Sequence, residues 1–257
     1  MKNKKELGQN WLKDRTTLDT MVEFAGVGEN DTVLEIGPGL GTLTSALLRR
    51  AGRVVAVEFD ADLARKLPAQ FPGKNLEVIE SDILQFDLSG LPEKYYVVAN
   101  LPYYITSKIV MFLLEASHKP QTITILVQKE VAERIAQVGG SSVLALAVEN
   151  WAEVKLGQIV PAEMFTPVPQ VDSQIVKMIL RDQPLLKDDK AFMQIVKAGF
   201  SQKRKKLKSS LGAFFSLSKD EITAKLAKVG IDADLRAQDL DFRAWQRVLE
   251  VLTKEKA

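Results

Sequence analysis

The 257-residue chain contains no cysteine and a single histidine, His118, which excludes disulfides, thiol catalysis and Cys/His metal clusters from any account of it. No apolar stretch approaches the roughly 20 residues that a membrane span needs, and Met1-Lys2-Asn3-Lys4-Lys5 leads into polar sequence rather than an apolar signal region. A soluble, unexported, cytoplasmic protein is expected. There is also no large excess of charge: 35 Lys and Arg stand against 33 Asp and Glu, a formal +2. Bulk composition therefore does not mark a nucleic-acid binder, and any electrostatic footprint has to lie in how the charges are distributed. Internal repeats and low-complexity segments are absent.

The distribution is uneven. Lys203, Arg204, Lys205, Lys206 and Lys208 fall within eight residues that contain no acid, and the first fifteen residues carry Lys2, Lys4, Lys5, Lys13 and Arg15 against Glu6 and Asp14. Each run reads either as a solvated face or as a surface for a polyanion. His118, ahead of Lys119-Pro120, reads as a loop residue.

From Asp31 to about Val127, short β-branched runs (Thr32 to Ile36, Val54 to Val57, Leu76 to Ile79, Tyr95 to Ala99, Thr122 to Val127) alternate with stretches of helical periodicity (Leu40 to Arg50, Ala61 to Gln70, Thr106 to Ala116). This is the signature of βαβ units and of an α/β, doubly wound, Rossmann-like sheet with ligands at the carboxyl ends of its strands. A helix is expected over Lys129 to Gln137 and a late antiparallel strand over Val171 to Leu180. Beyond Asp182-Gln183-Pro184 the periodicity turns wholly helical: Phe192 to Phe200, Lys203 to Phe215, Lys219 to Val229 and Phe242 to Leu252. Ser218 and Glu221 make a capping box for the third of these, and Gly230 stops it. Two domains are expected, residues 1–182 built on the sheet and 183–257 all-helical.

Glu35-Ile36-Gly37-Pro38-Gly39-Leu40-Gly41 directly follows the first strand of the sheet. Glycine lets the backbone turn tightly and approach a ligand closely. The glycines run G-x-G-x-G, an acid precedes the first by two, and Pro38 removes an N–H that a pyrophosphate would use, so an amino-acid tail fits better than a diphosphate. A nicotinamide-dependent oxidoreductase is the rival reading on a similar sheet. Glu58, ending the second strand, can accept the hydroxyls of a ribose. Asp82 and Ile83, at the end of the third, can offer a carboxylate to an adenine amine and an apolar side to its ring. Turn chemistry also favours acids at strand ends, but three successive ends equipped this way suggest S-adenosylmethionine.

Asn100-Leu101-Pro102-Tyr103 ends the fourth strand of the alternation. An exocyclic adenine amine is a poor nucleophile because its lone pair is delocalised into the ring. The Asn100 side-chain carbonyl and the Leu101 carbonyl, its direction fixed by Pro102, can accept the two N–H groups and turn the lone pair toward a methyl donor. Tyr103 can stack on the base, a contact worth about 1–3 kcal/mol. An ordinary Asn-Leu-Pro turn with a core Tyr would look the same. Phe165 lies in a stiff, proline-rich stretch from Val160 to Pro169, as the opposite wall of a base sandwich or as a buried loop anchor. A base held between such walls must be flipped or unpaired.

These motifs, together with Leu7 to Leu12, Gln128 to Arg134, Phe165 to Ser173 and Phe200 to Leu207, resemble in order and spacing the KsgA-type small-subunit ribosomal RNA adenine dimethyltransferases, relatives of the Erm-type large-subunit enzymes. The resemblance covers nearly the whole chain. It implies that Asn10 and Leu12 close over the methionine end of S-adenosylmethionine, that Gly37 and Gly39 approach it, and that Glu58 binds its ribose and Asp82 its adenine. Asn100 would contact both cofactor and target amine. The implied reaction is dimethylation of two adjacent adenosines near the 3′ end of 16S rRNA in a 30S precursor, by a monomer, with Lys203, Arg204, Lys205, Lys206 and Lys208 facing the RNA. An Erm-type 23S rRNA methyltransferase and a non-catalytic 30S assembly factor are the alternatives. Leu101, where Erm enzymes more often have Ile, and the helical Phe200 to Leu211 stretch favour the small-subunit branch. Trp11 replaces the family's usual Phe, and Ala136 to Ser142 replaces a longer Pro-Gly loop.

Overall fold

The computed structural model describes residues 10–138, 140–202 and 204–253. The chain opens with β1 (Trp11–Leu12) and α1 (Arg15–Ala25), then alternates through β2 (Thr32–Ile36), α2 (Thr42–Leu47), β3 (Arg53–Glu58), α3 (Ala61–Lys66) and β4 (Leu76–Glu80). It continues with β5 (Tyr95–Asn100), α4 (Thr106–Glu115), β6 (Thr122–Gln128), α5 (Lys129–Ile135), α6 (Val143–Trp151), β7 (Ala152–Val160), β8 (Phe165–Thr166) and β9 (Ser173–Leu180). Four helices follow: α7 (Asp189–Phe200), α8 (Leu207–Phe215), α9 (Lys219–Ala227) and α10 (Phe242–Thr253).

The main sheet has the order β4-β3-β2-β5-β6-β9-β7. The pairs from β4 through β6 are parallel and β9 runs antiparallel to β6, as the alternation of Val171 to Leu180 predicts. All five residues of β2 and six of the seven in β6 are buried, which is why these strands read as continuous apolar runs. From β2 the chain steps outward to β3 and β4, then returns across β2 to β5. The carboxyl ends of β2 and β5 thus flank the point where the strand order reverses, the place where such sheets leave a crevice. His118 is structural: its ring stacks on Tyr95 at 5.2 Å and its Nε2 lies 2.9 Å from the Pro92 carbonyl.

The chain divides into two compact units, one running to Ala132 and including Glu153–Arg181, the other comprising Glu133–Ala152 and the chain from Asp182 on. The single boundary expected after residue 182 does not describe this division. Asn150, fully buried in α6, explains why: its Nδ2 donates to Asp189 at 2.6 Å, its Oδ1 accepts the Leu186 N–H at 2.9 Å and its carbonyl accepts the Leu185 N–H at 2.9 Å. The short loop after α5 is tied into the same unit, Ser141 donating its N–H to the Gln238 carbonyl at 3.1 Å.

In this helical unit the expected capping box of Ser218 and Glu221 is formed. The helix expected from Lys203 begins only at Leu207, because Lys206 is extended and serves as its N-cap. The basic run therefore precedes α8. Phe192, Phe200, Phe242 and Trp245 pack the interior, with Phe200 and Trp245 stacked at 5.9 Å.

Gly199 in α7 exists for that packing. Replacing glycine by alanine inside a helix ordinarily stabilises by about 1 kcal/mol. Here a Cβ would lie 2.2 Å from Trp245 Cη2, and the fully buried indole has nowhere to go. Gly199→Ala should instead cost about 1–3 kcal/mol, read as a lower urea midpoint; a gain in stability would contradict this packing.

Candidate active site

A cavity of about 300 Å³ opens at the switch point, walled by the ends of β2, β3, β4 and β5 and by β1. Gly37 and Gly39 both have positive φ, +67° and +58°. At Gly37 nothing lies within 4 Å of where a side chain would begin, so the backbone there faces open space. At Gly39 a Cβ would meet the Trp11 ring at 2.1 Å, so Trp11 lies directly on the loop. The Gly39 N–H donates to Glu58 Oε2 at 3.0 Å and the Asp60 N–H to Glu58 Oε1 at 2.8 Å. Each carboxylate oxygen keeps a further lone pair for a ligand hydroxyl. Burial raises the Glu58 pKa, and the two backbone N–H donors oppose the rise.

Glu35 sits deeper, 1% exposed. Thr44 donates to its Oε2 at 2.6 Å, while Oε1 is buried without a partner among the described residues. Burial, together with the charge on Glu58 and against the Thr44 hydrogen bond, lifts its carboxyl to about 8. An unpaired buried carboxyl oxygen beside a cavity is a place where a ligand cation would be satisfied.

Asp82 caps the turn after β4, its Oδ1 accepting the Leu84 N–H at 2.9 Å, with Ile83 buried beside it. Across the cavity, Asn100 donates through Nδ2 to the Asn10 carbonyl in a long hydrogen bond of 3.4 Å, which directs its own side-chain carbonyl away from that contact. The Leu101 N–H is held by the Leu126 carbonyl at 3.3 Å. It is the Pro102 carbonyl, not that of Leu101, that closes the turn into α4, accepting from Ile105 N–H and the Thr106 hydroxyl. The Tyr103 hydroxyl lies 3.0 Å from the Ser173 hydroxyl, and burial raises its pKa while that contact lowers it.

The cavity thus brings together Asn10, Leu12, Gly37, Gly39, Glu58, Asp82, Ile83 and Asn100 to Tyr103. Phe165 is not among its walls. β8 pairs with β1 so that Phe165 stands opposite Leu12, and side chains of directly paired residues share a face. Leu12 reaches both the core and the cavity wall, whereas Phe165, 2% exposed, belongs to the core with Leu18, Met21 and Val160. The buried-anchor reading describes it, and the base-sandwich reading does not. Two aromatic walls that the sequence did not single out are Phe59, 66% exposed, and Tyr104, 64% exposed. Their positions directly after Glu58 and Tyr103 are the only sequence signal for them.

Of the basic run, Lys203 lies outside the described residues. Arg204 and Lys205 are exposed. Lys206 and Lys208 both pair with Asp234, Lys206 Nζ at 3.0 Å and Lys208 Nζ at 2.5 Å.

A model of the family described as ribosomal RNA adenine dimethylase matches residues 1–254. A protein named ribosomal RNA small subunit methyltransferase A from Dehalococcoides mccartyi strain CBDB1 is 39% identical, over 96% of this chain and 88% of that protein. Its namesake from Shouchella clausii is 38% identical, over 97% and 89%. Among solved structures, the 23S rRNA methyltransferase ErmE aligns with a TM-score of 0.75 at 31% identity, over 95% of this chain and 99% of that one. A dimethyladenosine transferase from Plasmodium falciparum aligns with a TM-score of 0.78 at 27% identity, over 95% and 98%.

Glu35 gives the site a pH signature. Folded, it keeps its proton up to about pH 8, whereas the unfolded carboxyl releases it near 4.5, so folding takes up a proton between those values. Its contribution to stability is complete below pH 4.5 and is lost as the pH rises toward 8, at a slope approaching ~1.4 kcal/mol per pH unit. Glu35→Gln should match the parent protein near the acid end of this window and exceed it in urea midpoint above pH 8. Parallel stability profiles for the two proteins would refute the assignment.

Proposed function

The chain belongs to the ribosomal RNA adenine dimethylase family, and from that premise we propose that it dimethylates two adjacent adenosines near the 3′ end of 16S rRNA, acting as a cytoplasmic monomer on 30S precursors. Membership makes it an S-adenosylmethionine-dependent rRNA methyltransferase. The observation that carries the methyl-transfer reading is that Asn100 to Tyr103 line the same cavity as the glycine loop and the Glu35 oxygen that has no partner among the described residues; the small-subunit names of its relatives support the 16S assignment.

The residues present fit the cofactor. Glu35 Oε1, buried and unpaired, suits the ammonium of its methionine end, and Gly37 leaves room for that end to pass. Asn10, Trp11 and Leu12 would cover it. Glu58 would take the ribose with its remaining lone pairs, and Asp82, Ile83 and Phe59 would hold the adenine. When bound, the cofactor supplies an electrophilic methyl on a sulfonium that already carries the leaving-group charge. Catalysis by the chain is then chiefly positioning, since reacting atoms must sit roughly 3–3.5 Å apart and aligned.

Asn100 is suited to that task because its amide donor is already engaged by Asn10, leaving Oδ1 to accept one N–H of the target amine. The Leu101 carbonyl accepts the other. Tyr103, steadied by Ser173, stacks on the base, and exposed Tyr104 takes the role of second aromatic wall that Phe165 does not fill. Arg204 and Lys205, with the rest of the basic run, contact RNA phosphates in the helical unit. The structural likeness to ErmE favours one second reading, methylation of 23S rRNA.

With labelled S-adenosylmethionine and, in parallel reactions, immature 30S particles and 23S rRNA, the protein should place two methyl groups on each of two neighbouring 16S adenosines. Label confined to 23S rRNA would transfer the assignment to the second reading, and no label on either RNA would overturn the enzymatic one. Asn100→Ala should slow transfer by at least about 100-fold with particle binding retained. Reversing Arg204 and Lys205 to Glu should weaken particle binding and flatten its salt dependence by about 0.7 for each phosphate left unneutralised; unchanged binding would return that run to a solvated face.

A further inference from the structure

A second cavity, of about 260 Å³, lies in the same unit as the first and shares Leu18 and Thr42 with it. Its charged lining is of one sign: Lys13, Arg15 and Arg49, accompanied by the polar groups of Thr42, Ser45 and Gln70. Lys13 comes from the link between β1 and α1, Arg15 is the first residue of α1, and Arg49 lies in the turn after α2. These segments are separated in sequence and meet only because α1 packs beside α2.

Two of the three cations, Lys13 and Arg15, are placed to meet an incoming anion, while Arg49 is already paired with Asp19. Asp14, the acid between Lys13 and Arg15, is spent within α1: its Oδ2 accepts both the N–H and the hydroxyl of Thr17 at 2.7 Å. Arg49 is held in place by Asp19 through Nη2, and its Nη1 donates to the carbonyl and hydroxyl of Ser45 at 2.9 and 3.2 Å. Lys13 and Arg15 are exposed and make no ion pair with any described residue. Like charges gathered in a concave site raise the local potential and draw in a counter-ion. The Arg15 guanidinium, near hydroxyl and amide donors, suits a phosphate oxygen.

We propose that this basic cavity binds a phosphodiester of the RNA strand that delivers the target adenosine, a contact separate from the basic run of the helical unit. It rests on the rRNA reading above and deepens it. Base contacts in the first cavity select adenine, while a backbone contact in the second fixes the register of the strand, the usual division of labour in nucleic-acid recognition. The two cavities adjoin through the shared residues Thr42 and Leu18.

The test uses the full chain with Lys13→Gln and Arg15→Gln combined. Both residues are exposed, and a urea midpoint unchanged from the parent protein confirms folding. Expected are an increase of about tenfold in KM for immature 30S particles, unchanged turnover at saturating particle concentration, unchanged S-adenosylmethionine affinity, and a reduction of about 0.7 in the slope of log K against log salt. If the parent protein methylates rRNA and the variant shows the same KM and salt slope, this proposal fails while the enzymatic reading stands; if the parent protein leaves rRNA unlabelled, it is the enzymatic reading that fails. Inorganic phosphate, titrated by calorimetry, separates the sources: phosphate binding that the variant abolishes without any effect on RNA would make this a free-anion site and overturn the proposal. Weakened binding to the 30S particle with unchanged binding to naked rRNA would assign the cavity to an acidic protein surface and overturn it equally.

Discussion

The Glu58 carboxylate accepts the Gly39 N–H with one oxygen and the Asp60 N–H with the other, so one buried side chain ties the loop after β2 to the chain beyond β3, beside the hydrogen bond from the Gly37 N–H to the Val57 carbonyl at 2.9 Å. Removing that side chain would orphan a buried backbone donor in a loop that has no helix or ladder to satisfy it. Gly39 in turn carries the Trp11 ring where its own side chain would be, and Trp11 belongs to the two-residue strand that pairs with Phe165–Thr166. One hydrogen-bonded carboxylate therefore sets the floor of the cavity, the floor sets the position of its aromatic cover, and the cover is anchored in the core through Leu12 and Phe165. Burial works against the charge on Glu58, and the two backbone donors work for it. The same side chain that a ribose would approach is thus already organised before any ligand arrives.

The acceptor side is organised by different means. Asn100 is restrained by the Asn10 carbonyl and Tyr103 by Ser173, one partner from the chain's beginning and one from β9, so the tetrapeptide is fixed at both ends by segments far from it in sequence. Neither restraint uses the atoms that the proposed chemistry would need, the Asn100 carbonyl oxygen and the face of Tyr103. Prepaid orientation of this kind is what a reaction with a charged leaving group requires, because little else is left for the protein to supply.

The alternation of buried strands with amphipathic helices was readable because parallel strands covered on both faces have no choice but continuous apolar composition. Strand ends and glycine spacing then located the cavity, since side chains at the carboxyl ends of β2 to β5 have nowhere else to point. What was not readable depended on long-range pairing. α6 is apolar almost all round, so its periodicity carries no helical signal, and only the hydrogen bonds of Asn150 to residues after 182 show which unit it joins. Phe165 faces the core because β8 pairs in register with β1, and a strand of two residues offers no pattern from which to read that register. Phe59 and Tyr104 differ from buried aromatics only in exposure, which composition does not encode.

The same distinction decides which cations matter for RNA. Lys206 and Lys208 belong to the densest basic run in the sequence, yet both are paired with Asp234, whose carboxyl they hold below its ordinary range. For either lysine to meet a phosphate it must exchange one anion for another, so the gain is a difference between two similar contacts in water. Arg204 and Lys205 make no ion pair with a described residue, and neither do Lys13 and Arg15, whose neighbouring acid Asp14 is turned inward to cap α1. A phosphate reaching these four need displace no acid of the described residues, so its binding would draw on the release of counter-ions that drives nucleic-acid binding. On a chain whose formal charge is only +2, affinity for RNA then depends less on how many basic residues are clustered than on where the acids have been committed elsewhere.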